Sequence, residues 1–135
     1  MWSRSVCINE SLNLGSIIPF IQKAQLNEMA VIIFNPNERT DLKTGKKIKE
    51  FERMESHCKW VYENIILQHS KARNYYFVSH SMGGYCTVDL INNFPSDLLN
   101  SKILKIAFTD SVHGSRPKIL KSEILKLFQN VKFLL

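Results

Sequence analysis

Ser79-His80-Ser81-Met82-Gly83-Gly84 sets a hydroxyl among small residues where two differently patterned segments meet. Before it runs the β-prone stretch 75–78, Tyr-Tyr-Phe-Val. After it, Tyr85, Val88, Leu90, Ile91 and Phe94 recur at helical spacing until Pro95. A serine on a sharp strand-to-helix turn is the setting of a nucleophile elbow, where small neighbours let the helix pass close to the strand. Gly83 and Gly84 supply that smallness, and Ser79 stands where a first glycine usually stands. Ser81 would then be the nucleophile, and the N–H of Met82, at the start of the helix, would face a developing oxyanion. The same residues also fit a plainer reading, a glycine-rich helix start with Ser81 as its N-cap.

Acyl transfer by such a serine needs a histidine base oriented by a carboxylate. Asp110, at the carboxyl end of an apolar run and later in the chain, is a candidate acid, although an aspartate there is also a routine turn-former. The histidine that follows it, His113, lies three residues on and reaches Ser81 only if its loop bends back. His80 adjoins the serine and points elsewhere, while His57 and His69 fall on a helical pattern. No complete triad can be read from these residues.

The elements that would position this chemistry alternate in type. Ile17, Ile18, Phe20, Ile21 and Ala24 repeat at helical spacing behind Ser16 as N-cap, with Pro19 in the first turn. The run 29–34, Met-Ala-Val-Ile-Ile-Phe, is continuously apolar, which predicts a strand covered on both faces, and Asn35-Pro36-Asn37 ends it. Phe51, Met54, Cys58, Val61 and Ile65 mark one face of a helix reaching about Ser70. After the elbow strand and its helix comes an apolar strand over 103–109, then an amphipathic helix from Pro117 and a strand start at 131–135. Near the N-terminus Val6-Cys7-Ile8 is the one strand-like triplet. Such alternation predicts an α/β fold with a parallel sheet and its chemistry beyond the strands' carboxyl ends.

Composition narrows the class. The 135 residues, 44% hydrophobic and 22% charged, are ordinary globular material of single-domain size. The longest apolar run has six residues, too few to span a membrane, and the N-terminus has no signal-like apolar core, so the chain reads as not secreted. Three widely spaced cysteines, Cys7, Cys58 and Cys86, read as reduced thiols, with no metal site and no cofactor implied. The net charge of +6 gathers partly in Lys43, Lys46, Lys47 and Lys49. Lys46, Lys47 and Lys49 fit a nuclear-import patch or a solvated loop, and without interleaved aromatics no nucleic-acid site is indicated.

An ordered set of motifs goes further. Trp2-Ser-Arg-Ser-Val-Cys-Ile-Asn-Glu10, Ile18-Pro-Phe-Ile21, Val31-Ile-Ile-Phe-Asn-Pro-Asn-Glu38, Val78-Ser-His-Ser-Met-Gly-Gly84 and Phe108-Thr-Asp-Ser-Val-His113 together resemble the argonaute-binding-protein-two domain family. Within it the chain looks like the animal cotranscriptional-regulator branch, "family with sequence similarity 172". The resemblance covers nearly the whole chain. It implies a partial α/β-hydrolase-like three-layer sandwich with a mostly parallel sheet over 1–135, and Ser81 as presumed nucleophile. It also implies a gene-regulatory role in small-RNA silencing or alternative splicing at chromatin, in nucleus and cytoplasm, with argonaute, chromatin or splicing proteins as partners.

The departures from the family shape the expectation. The family carries an upstream strand ending in a His-Gly oxyanion turn, absent here, between the strands equivalent to 29–34 and 75–78. Its loss predicts an interior gap with two unpaired apolar edges, which Val6-Cys7-Ile8 would fill only in part. The family also continues beyond Leu135, where the late histidine would stand. The chain therefore reads as an abbreviated relative acting through protein contacts without hydrolase activity. A serine esterase using Ser81 is the alternative.

Overall fold

A computed structural model describes residues 3–99 and 103–112. The chain divides into two compact units, Met1–Ile33 and Phe34–Leu135.

The first unit is helical. Helices α1 (Arg4–Asn9) and α2 (Leu12–Gly15) pack on each other, and each starts on a serine that accepts a backbone N–H, Ser3 from Val6 and Ser11 from Leu14. Val6-Cys7-Ile8, expected as strand, is therefore helix. The Ser3 cap holds the triplet in α1, and no strand lies beside it among the described residues of this unit. Helix α3 (Ile18–Leu26) begins as its residues predict, with Pro19 in the first turn and the Ser16 hydroxyl accepting from the N–H of Ile18. A positive-φ residue, Glu28 (56°), follows it. The run 29–34 is a second correction. It forms no strand, and Met29, Val31, Ile32 and Ile33 are 40–53% exposed. A strand exists only through ladder partners, and among the described residues this run has none.

The second unit holds the core. Past the turn at Asn35-Pro36-Asn37, where the N–H of Glu38 reaches the Asn35 carbonyl, the basic loop folds on itself. Thr40 and Lys47 form an antiparallel bridge, and Asp41 Oδ1 accepts from the N–H groups of Lys43 and Thr44 at 3.0 and 2.7 Å. A 3₁₀ turn (Lys49–Phe51) leads into one long helical segment: α4 (Met54–Val61), a π-helical turn (Tyr62–Ile66) and α5 (Leu67–His69). The π turn moves the buried face by one residue. Cys58 and Val61 point inward as expected, but the next inward positions are Tyr62 and Ile66, and Ile65 is left 41% exposed.

Strands β1 (Tyr75–His80) and β2 (Ile103–Thr109) pair in parallel, joined through α6 (Met82–Asn93) and α7 (Pro95–Leu99). Pro95 ends the apolar periodicity and opens α7, at the position where its missing N–H is harmless. Between Tyr75 and Tyr76 the register slips by one residue, after which Phe77 faces Ile106 and Ser79 faces Phe108. Tyr62, Ile66, Val88, Leu90, Ile91, Leu98, Ile103, Ile106 and Phe108 form the buried core, with Phe34, Tyr75, Phe77 and Phe94 at its margin. Inward Tyr75, Phe77 and Ser79 alternate with Tyr76 and Val78, which are 49% and 41% exposed. Among the described residues the architecture is thus mixed helix and strand, a two-stranded parallel sheet with helices on one face.

Candidate functional site

The expected elbow is present as geometry. β1 runs into Ser81, α6 starts at Met82, and Ser81 itself sits at φ 51°, ψ −124°. An L-residue at this φ is strained, by about 1–3 kcal/mol, and persists only when its surroundings fix it. Three backbone hydrogen bonds do so: Ser81 N–H to the Thr109 carbonyl (3.1 Å), Gly84 N–H to the Ser81 carbonyl (3.1 Å), and Val112 N–H to the same carbonyl (3.3 Å). The turn is therefore tied to the exit of β2 as well as to its own helix. Ser81 is the N-cap residue of α6 by position, as the plainer reading has it, but its side chain makes no cap bond to the helix.

The small residues divide by role. A Cβ on Gly84 would run into the Ser111 side chain and come within 3.2 Å of the Phe108 ring, so this glycine is required by close approach of the β2 exit. A Cβ on Gly83 would meet only the Ser79 Cβ, at 3.9 Å, an ordinary contact. Ser79 is buried, and its hydroxyl lies 2.7 Å from that of Thr87, which donates to the Gly83 carbonyl at 2.9 Å. Where a glycine would leave space, this pair joins the strand end to the first turn of α6. Sequence reasoning missed Thr87. Its one signal was a small polar residue on the buried face of an otherwise apolar helix.

The acid–base candidates assemble only in part. Asp110 follows β2 directly, at φ 46°, between Thr109 and Ser111, both of which engage the elbow. Its carboxylate is exposed and makes no hydrogen bond or ion pair among the described residues. His113 lies outside the described residues, as do the helix expected from Pro117 and the strand start at 131–135. His80 turns to β2, its Nδ1 lying 3.1 Å from the Thr109 hydroxyl. His57 is buried on α4 against Phe51 (ring centroids 4.5 Å apart), its Nδ1 has no partner among the described residues, and burial lowers its pKa below the ordinary 6.5. Met82 is the first residue of α6, where backbone N–H groups have no intrahelical acceptor, and its side chain is 43% exposed. A strained serine thus adjoins a helix N-terminus, and among the described residues no histidine is hydrogen-bonded to the Ser81 hydroxyl.

Lys46, Lys47 and Lys49 are exposed on the folded basic loop, and none of them is ion-paired among the described residues. Among the described residues no group of three or more His, Cys, Asp or Glu side chains is placed to hold a metal ion. No helix there is long and apolar enough to cross a membrane.

Comparison with known proteins adds the family. The Arb2 domain family matches residues 37–130. The chain is 32% identical over 148 residues to the cotranscriptional regulator ARB2A homolog of Dictyostelium discoideum, covering 87% of this chain and 38% of that one. It is 29% identical over 164 residues to the mouse cotranscriptional regulator ARB2A (84% and 39%) and 30% identical over 127 residues to a FAM172 family protein homolog of Caenorhabditis elegans (94% and 39%). The chain thus spans less than two-fifths of the length of these relatives. The mouse alignment is also longer than the 135 residues of this chain, so that relative carries residues inside the matched span that this chain lacks. No solved structure matches.

Proposed function

We propose, since the chain belongs to the Arb2 domain family, that it is a gene-regulatory protein working through protein contacts, with the elbow kept as a structural joint and without hydrolase activity. The observation that carries this reading is the agreement among relatives from an amoeba, mouse and human, each named a cotranscriptional regulator. The partners are argonaute, chromatin or splicing proteins, and the chain works in nucleus and cytoplasm, with Lys46, Lys47 and Lys49 as its import patch. Its fold is the partial α/β-hydrolase-like sandwich, of which β1, β2 and α6 are the elbow portion. The hydrogen bonding around Ser81 supports a structural role, because its backbone is fastened on both sides while its hydroxyl has no base among the described residues.

Depleting the protein and scoring splice-isoform ratios genome-wide tests the regulatory role, with rescue by wild type and by Ser81→Ala. Equal rescue by both is expected. Unchanged isoform ratios on depletion would remove the regulatory reading, and failure of Ser81→Ala alone would make the hydroxyl functional.

The second reading, a serine esterase, is favoured by one observation, the strained φ of Ser81 at the N-terminus of α6. In it Ser81 attacks, Met82 N–H stabilises the oxyanion, and Asp110 and His113 complete the set. A fluorophosphonate probe that labels the folded wild type and not Ser81→Ala would establish it.

A further inference from the structure

Cys58 and Cys86 stand apart from everything the elbow uses. They lie on α4 and α6, two helices packed against each other, and both are buried, at 6% and 3% exposure. Both are free thiols. Their side chains meet across the helix pair, and the ion pair between Lys59 and Asp89 (3.2 Å) fixes the two helices in the same register one residue from Cys58 and one turn from Cys86. Two thiols held face to face on separate helices are the arrangement that oxidation converts to a cross-link.

We propose that Cys58 and Cys86 form an oxidation site, a dithiol that hydrogen peroxide converts to an intramolecular disulfide stapling α4 to the elbow helix α6. The Cys86 thiolate attacks one peroxide oxygen, the O–O bond breaks, and hydroxide leaves to give a sulfenic acid on Cys86. The Cys58 thiolate then attacks that sulfur, the S–O bond breaks, and a second hydroxide leaves. With the two thiol protons the products are one disulfide and two waters, so the thiols are oxidised by two electrons and the peroxide is reduced by two. Interaction with Cys86, then burial, then the carboxylates of Asp89 and Glu55 push the Cys58 thiol far up, whereas the hydrogen bond from Cys58 lowers Cys86. A small uncharged oxidant suits a buried pair. The π turn begins four residues past Cys58, a break in the regular helical ladder.

The full chain carrying Cys7→Ser is exposed to graded peroxide, its remaining thiols are alkylated, and it is digested with trypsin without reductant. The expected product is a monomer on a non-reducing gel, yielding peptides 54–59 and 74–102 joined, two hydrogens lighter than their sum and separable by dithiothreitol. Cys58→Ser, lacking the resolving thiol, should instead accumulate a dimedone adduct on Cys86. The wild-type chain gives the same two peptides, so the test stands if a variant does not fold. Recovery of both cysteines in alkylated form, sulfinic or sulfonic acid on either without the joined peptides, or a cross-linked dimer would each overturn the proposal.

Discussion

Residues 29–33 and 75–80 are similar as sequence and opposite as structure. Both are short, apolar and rich in β-branched or aromatic side chains. The later run is β1, hydrogen-bonded to β2 along its length and covered on one face by the core. The earlier one belongs to no strand or helix, and its side chains from Met29 to Ile33 lie open. What separates them is the company each keeps within its own unit. β1 has a parallel partner and a helix starting at its end, and α1 to α3 supply no ladder to the run that follows them. Propensity proposes a strand, and pairing decides it.

The comparison predicts a large asymmetry in stability. Ile91→Ala, at a fully buried position of the second unit, should destabilise by about 2–5 kcal/mol, while Ile32→Ala, half exposed, should shift stability by less than about 0.5 kcal/mol. Denaturant melts of the two variants check this, and a loss above about 1 kcal/mol for Ile32→Ala would mean that the early run is packed in solution.

Within the β1 neighbourhood the two glycines should part company. Gly84→Ala forces a methyl against Ser111 and Phe108 and should destabilise by about 1–3 kcal/mol. Gly83→Ala meets no obstacle and should stabilise by about 0.5–1 kcal/mol through helix propensity. Thermal melts that rank the two the other way round would break the account of how α6 approaches β2.

Ser81→Gly should stabilise by about 1 kcal/mol, because glycine adopts the positive φ without the clash a Cβ brings, net of its larger unfolded-state entropy. Ser81→Ala should not, since it keeps the Cβ. The pair of melts separates backbone strain from loss of the hydroxyl.

The smallest effect is expected from His57. Its pKa is lowered in the folded chain, so above about 6.5 the ring is neutral in both states and contributes no pH dependence. As pH falls below 6.5 the unfolded chain takes up a proton that the folded chain resists, and stability decreases until the folded pKa is reached. A thermal midpoint followed from pH 7.5 to 5.5 should fall more steeply for wild type than for His57→Gln.

How much of this could be read beforehand depended on whether the signal was local. The strand, turn and helix around Ser81 were legible, since they stand in one continuous stretch, and the β2 strand and the placing of Pro19 in a first helical turn followed the same logic. The long helix was found, but its face was misjudged at Ile65, because a π turn adds a residue that spacing alone cannot announce. Val6-Cys7-Ile8 and 29–34 were misread for a different reason. A cap from Ser3 settled the first, and the absence of a ladder settled the second, neither of which is written in the apolar pattern. At the site, Ser79 was read as a stand-in for glycine, whereas its hydroxyl meets Thr87, a partner eight residues away.

The bond from Val112 N–H to the Ser81 carbonyl has a mechanical corollary. Together with Ser81 N–H on Thr109, it grips a strained, positive-φ residue from the outgoing end of its neighbour strand, like a hand on a latch. Displacing the backbone that leaves β2 therefore acts on Ser81 through these two bonds, and on α6 through Ser111 and Phe108 against Gly84 as well.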